Sequence, residues 1–196
     1  MNVCLTGWNG FLSKKLRIRN EINWVQDIEN SNSLFLMGSP TFTQSQLLKN
    51  DAIIMHQYVL KTIDKIKDYK DKIIFASTTG VDDISLDHTG STAYNLSKLY
   101  IENYIINHCE DYLILRIGTI ISKNVEDIRL MKPDRLQQRI LNKDFKDIPF
   151  EDYYLDVESF IDKTVRAILN NQSGILHYDL EKYTLPNLIK IGTRND

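Results

Sequence analysis

The sequence predicts an α/β fold built on a doubly wound parallel sheet, and three observations predict it. The chain opens on an apolar run, Val3-Cys4-Leu5, that breaks at Thr6-Gly7 and leads into Phe11, Leu12 and Leu16, which share a helical face. Short, continuous apolar runs recur at 33–37, 71–76 and 112–117, as expected of strands buried on both faces. Between them lie stretches of helical periodicity: Met55, Val59, Ile63 and Ile66 in one, Tyr94, Lys98, Ile101 and Ile105 in another. Strands that alternate with helices pair in parallel, with the helices covering both faces.

The opening element is a strand, a glycine turn and a helix start. Glycine takes backbone angles closed to other residues and lets a ligand approach the main chain. A helix that begins directly after the turn aims unpaired N–H groups and a positive dipole end at that ligand. In the first unit of an α/β sheet the matching ligand is a dinucleotide pyrophosphate, on Gly7, Asn9, Gly10, Phe11 and Leu12. Ser13 stands where a third small residue would let helix and strand pack most closely. Strand–glycine–helix turns also occur in α/β proteins that bind nothing there, so the turn alone leaves both readings open.

The first helix spans 11–19. A second strand is expected over 21–28, around Ile22, Trp24 and Val25. An acid at its end would face an unphosphorylated adenosine ribose, with Asp27 first and Glu29 in reserve; Lys14, Lys15, Arg17 and Arg19 could instead meet a 2′-phosphate. NAD and NADP therefore both remain open. The strand at 33–37 ends in Gly38-Ser39-Pro40, and a polar connection follows over 41–50. A helix over 51–69 leads to the strand at 71–76, which stops at Ser77-Thr78-Thr79-Gly80. A loop over 81–91 precedes a helix over 93–109, and the strand at 112–117 ends at Gly118. These elements make a Rossmann-like core over 1–122. Beyond it, 123–130 reads as irregular, 133–141 as a helix and 144–151 as a connection. Residues 153–156 read as extended, 158–170 as the last core helix, 175–178 as a strand and 184–189 as a final helical turn. The pieces over 123–196 read as too small for a core of their own, hence as a small C-terminal cap within one compact domain.

Composition narrows the function. Twenty-six acidic against 24 basic residues give a net charge of −2, which supplies no electrostatic case for nucleic acid or an anionic membrane. No apolar run approaches the roughly 20 residues of a spanning helix. Cys4 and Cys109 have no metal-ligand spacing and imply no disulfide framework, so no metal is expected. With a strand at the start and no signal peptide, the expected location is the cytoplasm.

Tyr94 and Lys98 lie four apart on a helix and so share a face. A phenol titrates near pH ~10, but a cation within about 4–6 Å lowers that value. Tyr94 is then a proton donor to a carbonyl or an acceptor from an alcohol. Thr78 sits at the carboxyl end of the preceding strand, where parallel sheets place ligands, and its hydroxyl could hold a carbonyl beside the phenol; a one-residue change of register gives this role to Ser77. Arg135 and Arg139 share a helical face suited to a diphosphate, or else form a solvated charged face beside Leu136 and Ile140.

Taken in order, these segments resemble the extended short-chain dehydrogenases/reductases of the NAD-dependent epimerase/dehydratase family. Thr6-Gly7-Trp8-Asn9-Gly10-Phe11-Leu12 is similar to that family's TGxxGxxG opening except at Ser13. Residues 33–39 resemble the strand and small-residue turn over the cofactor. Phe75-Ala-Ser-Thr-Thr-Gly resembles the strand that carries the catalytic hydroxyl, in the register that selects Thr78. Tyr94, Ser97, Lys98 and Glu102 resemble the YxxSKxxxE helix, Leu113-Ile-Leu-Arg116-Ile-Gly the strand after it, and Tyr153-Tyr-Leu-Asp156-Val the approach to the cap helix. Ser77-Thr78 followed by Val81-Asp82 is also similar to the STDxVFDG segment of dTDP-4-dehydrorhamnose reductases.

The resemblance implies NAD or NADP, held also by Asp27, Met37, Gly38, Tyr94, Lys98 and Ile117. It implies catalysis by Thr78, Tyr94 and Lys98, with Lys98 on the nicotinamide ribose. It implies a nucleotide-sugar substrate, met by Ser77, Thr119, Arg135 and Arg139. It also implies a homodimer through the helices at 51–69 and 93–109; Tyr100, Ile101, Tyr104 and Ile105 make the second of these apolar beyond its core side. The chain is shorter than a typical member, with the missing length in the early αβ units and the cap. A catalytically silent NAD(P)-binding sensor or interaction protein is the alternative. A flavodoxin-like or response-regulator domain would leave the glycine turn and the Tyr–Lys pair without a joint reason.

Overall fold

The structure, a computed structural model, describes residues 1–37, 52–82, 90–131, 136–146 and 148–192. The chain runs β1 (Asn2–Leu5), α1 (Phe11–Arg17), β2 (Asn23–Val25), β3 (Ser33–Leu36), α2 (Ala52–Ile66), β4 (Lys72–Thr78), α3 (Gly90–His108), β5 (Tyr112–Ile117), β6 (Ile120–Ile121), α4 (Val125–Leu130), α5 (Leu136–Leu141), β7 (Glu151–Asp156), α6 (Val157–Leu169), β8 (Gly174–His177), β9 (Glu181–Thr184) and α7 (Leu185–Gly192). Six strands form one parallel sheet in the order β2-β1-β3-β4-β5-β8. The expected doubly wound α/β fold is therefore the observed one.

The continuous apolar runs follow from burial on both faces. Val3, Leu5, Phe35, Ile74, Leu113 and Leu115 pack in one cluster with Leu16 of α1 and with Phe160, Ile161, Val165 and Ile168 of α6. Cys4, Leu34, Leu36, Ile73, Phe75 and Ile114 fill the other face against Tyr58 and Ile66 of α2 and Ile101 and Ile105 of α3. Asp156 starts α6 by accepting from the backbone N–H groups of Glu158 and Ser159 at 3.1 and 3.2 Å, a side-chain N-cap.

No helix separates β2 from β3. Residues 26–32 carry the chain from one side of β1 to the other, pinned by Asn32 N–H to Asn2 O (2.9 Å) and by the Cys4 thiol to Gln26 O (3.5 Å). The Ser31 and Tyr69 hydroxyls close the same loop at 3.1 Å. The first half of the sheet thus has two strands rather than three, and the direction of winding reverses between β1 and β3.

Several expectations need correction. The second strand has three residues, Asn23–Val25, not the eight of 21–28. Residues 123–130 are not irregular: Asn124 Oδ1 accepts from Glu126 N–H at 2.9 Å and starts α4, whose Val125 and Ile128 are buried. Six residues make fewer than two turns, too few for a helical period to show. β7 pairs in parallel with β6 and antiparallel with β9, giving a small second sheet that the polar run Glu181-Lys-Tyr-Thr does not announce. The cap pieces do enclose a core of their own, around Ile121, Ile128, Ile140, Tyr154, Tyr183, Leu188 and Ile191. The turn at 38–40, the connection at 41–50 and most of the 81–91 loop lie outside the described residues, as does the start of the 133–141 helix. Among the described residues no helix is long and apolar enough to cross a membrane.

Candidate active site

The glycine turn lies at the carboxyl end of β1, at the crevice where the sheet reverses direction. Gly7 has φ of 67°, in the left-handed region that favours glycine. Gly10 N–H returns to Gly7 O at 2.8 Å, and a Cβ on Gly10 would stand 3.1 Å from that same oxygen. Gly10 makes no side-chain cap on α1, so the first-turn N–H groups at Phe11 and Leu12 have no side-chain acceptor from it. Gly7, Asn9 and Gly10 are exposed, and Phe11 and Leu12 are half-buried. From the neighbouring strand, Met37 N–H donates to Thr6 Oγ1 at 3.0 Å, so the ends of β1 and β3 are tied together.

The second half of the site forms where α3 crosses the end of β4. Lys98 projects from α3 into the interior and is 2% exposed. Its ammonium donates to Ala76 O at 2.7 Å and to the Tyr58 hydroxyl at 3.1 Å. It lies 4.7, 5.4 and 5.6 Å from the ring centroids of Phe75, Tyr58 and Tyr94. Burial pulls the Lys98 pKa down to about 7, against the opposing pull of the Glu102 carboxylate. Tyr94 is half-buried, with its ring beside this cation.

The lowered Lys98 value has a consequence for stability. Unfolded, the lysine keeps its proton up to about pH 10.4; folded, it begins to lose it near pH 7. Between those limits the unfolded chain binds more protons, so stability rises with pH across about 7–10. Urea midpoints of Lys98→Met measured across this window should lack that rise.

Thr78 ends β4 in extended conformation and is half-buried; its Oγ1 accepts from Gly80 N–H at 3.3 Å. The Ser77 hydroxyl is buried without a hydrogen-bond partner among the described residues. The turn after Thr78 presses on α3, since a Cβ at Gly80 would stand 2.6 Å from the Asn95 amide. Beneath this contact Glu102, fully buried, takes Arg116 Nη2 at 2.7 Å and Nε at 3.3 Å, while Arg116 Nη1 reaches Asp82 just beyond the turn. Ile117 pairs in register with Thr78, and Thr119 is exposed, its carbonyl accepting from Leu155 N–H at 2.9 Å.

The structure thus brings Thr78, Tyr94, Lys98 and Ile117 to the carboxyl end of the sheet at β4 and β5, and the glycine turn to the same end at β1, with β3 between them. Among the described residues the Arg139 guanidinium is 2.8 Å from Asp144 and also reaches Lys146 O, both in the segment after α5. Arg135 and Gly38 lie outside the described residues. Asp27 is exposed, with its two carboxylate oxygens accepting from Glu29 N–H (3.0 Å) and the Asn30 amide (2.6 Å). Lys15 pairs with Asp127 (2.7 Å) and Glu158 (3.0 Å), and Arg19 with Asp162 (2.7 Å). Arg17 stacks 4.1 Å over the Trp8 ring, and Lys14 is exposed. Sequence reasoning missed Tyr58. Its spacing from Met55, Thr62 and Ile66 marks the buried face of α2, one position round from Val59 and Ile63.

No family model matches the sequence, and no curated protein matches it. Solved structures do match in fold. RMD from Pseudomonas aeruginosa complexed with NADPH aligns at a TM-score of 0.69 and 14% identity, over 97% of this chain and 82% of that one. A hypothetical dTDP-4-dehydrorhamnose reductase from Sulfolobus tokodaii gives 0.68 and 17%, over 100% and 83%. UDP-glucuronic acid 4-epimerase from Bacillus cereus in complex with NAD gives 0.60 and 16%, over 97% and 81%. At these identities the likeness is one of fold.

Proposed function

We propose that this chain is an NAD(P)-dependent oxidoreductase or epimerase of a nucleotide-activated sugar, with Tyr94 carrying the proton. The observation that carries the reading is the Tyr94–Lys98 pair on α3, whose ammonium is bound to Ala76 O of β4, two residues before Thr78 at the end of that strand. The glycine turn fits a pyrophosphate: Gly7 needs its positive φ, and Gly10 leaves main chain open where a side chain would crowd. Gly7, Asn9, Gly10, Phe11 and Leu12 would hold that group, with Met37, Gly38 and Ile117 assigned to the same cofactor. When bound, the nicotinamide supplies or accepts hydride.

The chain's own residues do the rest. Tyr94 gives a proton to a substrate carbonyl oxygen or takes one from the corresponding alcohol. The Lys98 cation lowers the cost of the phenolate. Thr78 Oγ1 accepts from Gly80 N–H, so its own proton is left to donate to the same oxygen. Ser77, Thr119, Arg135 and Arg139 are proposed for the sugar nucleotide. A second reading, a silent NAD(P)-binding sensor, draws on the two-stranded first half of the sheet.

The test is fluorescence titration with NADH and NADPH, followed by assay against a panel of nucleotide sugars. Binding with turnover is expected. Binding without any turnover would favour the sensor, and failure to bind either cofactor would overturn both readings. Gly10→Val should abolish binding while leaving the circular dichroism of the fold in place; unchanged affinity would remove the glycine turn from the site.

The homodimer is assigned to α2 and α3, where Ile53, Leu60, Leu96, Tyr100 and Ile106 are exposed. Sedimentation at micromolar concentration should give a dimer that Tyr100→Glu shifts toward monomer. A monomeric wild type would count against it.

A further inference from the structure

We propose that Tyr58 is a positioning residue of this site, its hydroxyl fixing the Lys98 ammonium between Ala76 O and the Tyr94 ring. Nothing in the Tyr–Lys motif requires it, because Tyr58 comes from a different helix, α2. The proposal rests on the functional reading only for what Lys98 does there, not for how Lys98 is held.

An ammonium has three N–H donors and needs acceptors for them once water is excluded. Lys98 finds two among the described residues, Ala76 O at 2.7 Å and Tyr58 Oη at 3.1 Å. The first is main chain and is fixed by the β4 ladder. The second is a side chain, so it alone is open to substitution without moving the sheet. Together they set the direction of the lysine tip, and the third donor is left for a ligand. Tyr58 is itself 8% exposed and packed in the core beside Phe75, so its hydroxyl cannot swing away with solvent. Burial pushes its phenol pKa up, the nearby Tyr94 adding to the effect, so it meets Lys98 as a neutral hydroxyl throughout the working range.

The surroundings leave few other determinants. The titratable and charged groups facing the ammonium among the described residues are Tyr58 from α2 and Tyr94 and Glu102 from α3, with Arg116 of β5 behind Glu102. β4 offers the Phe75 ring and the Ala76 carbonyl. Loss of the Tyr58 hydroxyl therefore removes one of two direct acceptors from a buried cation. The proton affinity of Lys98 should fall about tenfold, the order expected for a hydrogen bond to a charged group.

The experiment uses the full chain. The Lys98 side chain is titrated by carbon-detected NMR in wild type, Tyr58→Phe and Tyr178→Phe, with Lys98→Met identifying the signal, and the NADH and NADPH affinities are measured in parallel. Tyr178 is the control because it is a buried phenol on the other face of the sheet, its hydroxyl 2.7 Å from that of Thr164. Tyr58→Phe should move the Lys98 midpoint to lower pH by about tenfold in proton concentration and weaken cofactor binding, while Tyr178→Phe leaves both in place. An unmoved midpoint in Tyr58→Phe, or an equal movement in Tyr178→Phe, would overturn the proposal. A wild type that binds neither cofactor would count against the functional reading alone, and the titration would still decide on Tyr58.

Discussion

Tyr94→Phe should fold, bind NADH or NADPH as the wild type does, and lose about 10²–10⁴ in turnover. The substitution keeps the ring, and with it the cation–ring contact to Lys98 at 5.6 Å, so binding and packing are not the terms that change. What disappears is the hydroxyl proposed to give or take a proton at the substrate oxygen. Lys98→Met should differ in kind: it removes the charge that favours the phenolate and one hydrogen-bond donor of the proposed ribose site, so affinity and rate should fall together. Steady-state kinetics with a substrate accepted by the wild type separates the two patterns. Turnover near the wild-type level in Tyr94→Phe would exclude Tyr94 as the proton carrier.

The legible parts of this protein are those where one physical requirement writes one pattern. Strands buried on both faces must be apolar throughout, so β3, β4 and β5 are visible as runs. A turn that needs φ of 67° needs glycine, so Gly7 is visible. Tyr94 and Lys98 are legible because a helix fixes their shared face. The parts that stayed hidden are short or depend on packing between distant segments. β2 has three residues, β6 has two, and β9 is largely polar because only Tyr183 of its four residues turns inward. Tyr58 was hidden for another reason. Met55, Val59, Ile63 and Ile66 are the more apolar set on α2, yet the helix presents Met55, Tyr58, Thr62 and Ile66 to the core. The rotation brings a polar hydroxyl to a buried lysine that only the third dimension places there.

Glu102→Ala should destabilise the fold by about 3–5 kcal/mol, the usual cost of removing one partner from a buried ion pair. Glu102 is 0% exposed and holds Arg116 through Nη2 and Nε, and Arg116 is itself mostly buried. Without the carboxylate, the guanidinium keeps, among the described residues, Asp82, which lies at the surface and is half-exposed. Moving Arg116 toward water would pull on β5 at the position that pairs with Ser77, so relaxation is limited. A domain of this size carries roughly 5–15 kcal/mol in all, so the loss is a large share of it. It corresponds to a fall in Tm of about 6–20 °C, readable by thermal or urea unfolding. The double variant Glu102→Met/Arg116→Met should recover much of the loss, because the cost lies in the stranded charge rather than in the absent attraction. Asp82 follows the turn that begins at Thr78, so Glu102→Ala should also slacken the Thr78 hydroxyl proposed to face the substrate and lower the rate in the fraction that remains folded. A loss below about 1 kcal/mol would mean that Arg116 finds other acceptors, and that the Glu102–Arg116–Asp82 chain does not brace this end of the sheet.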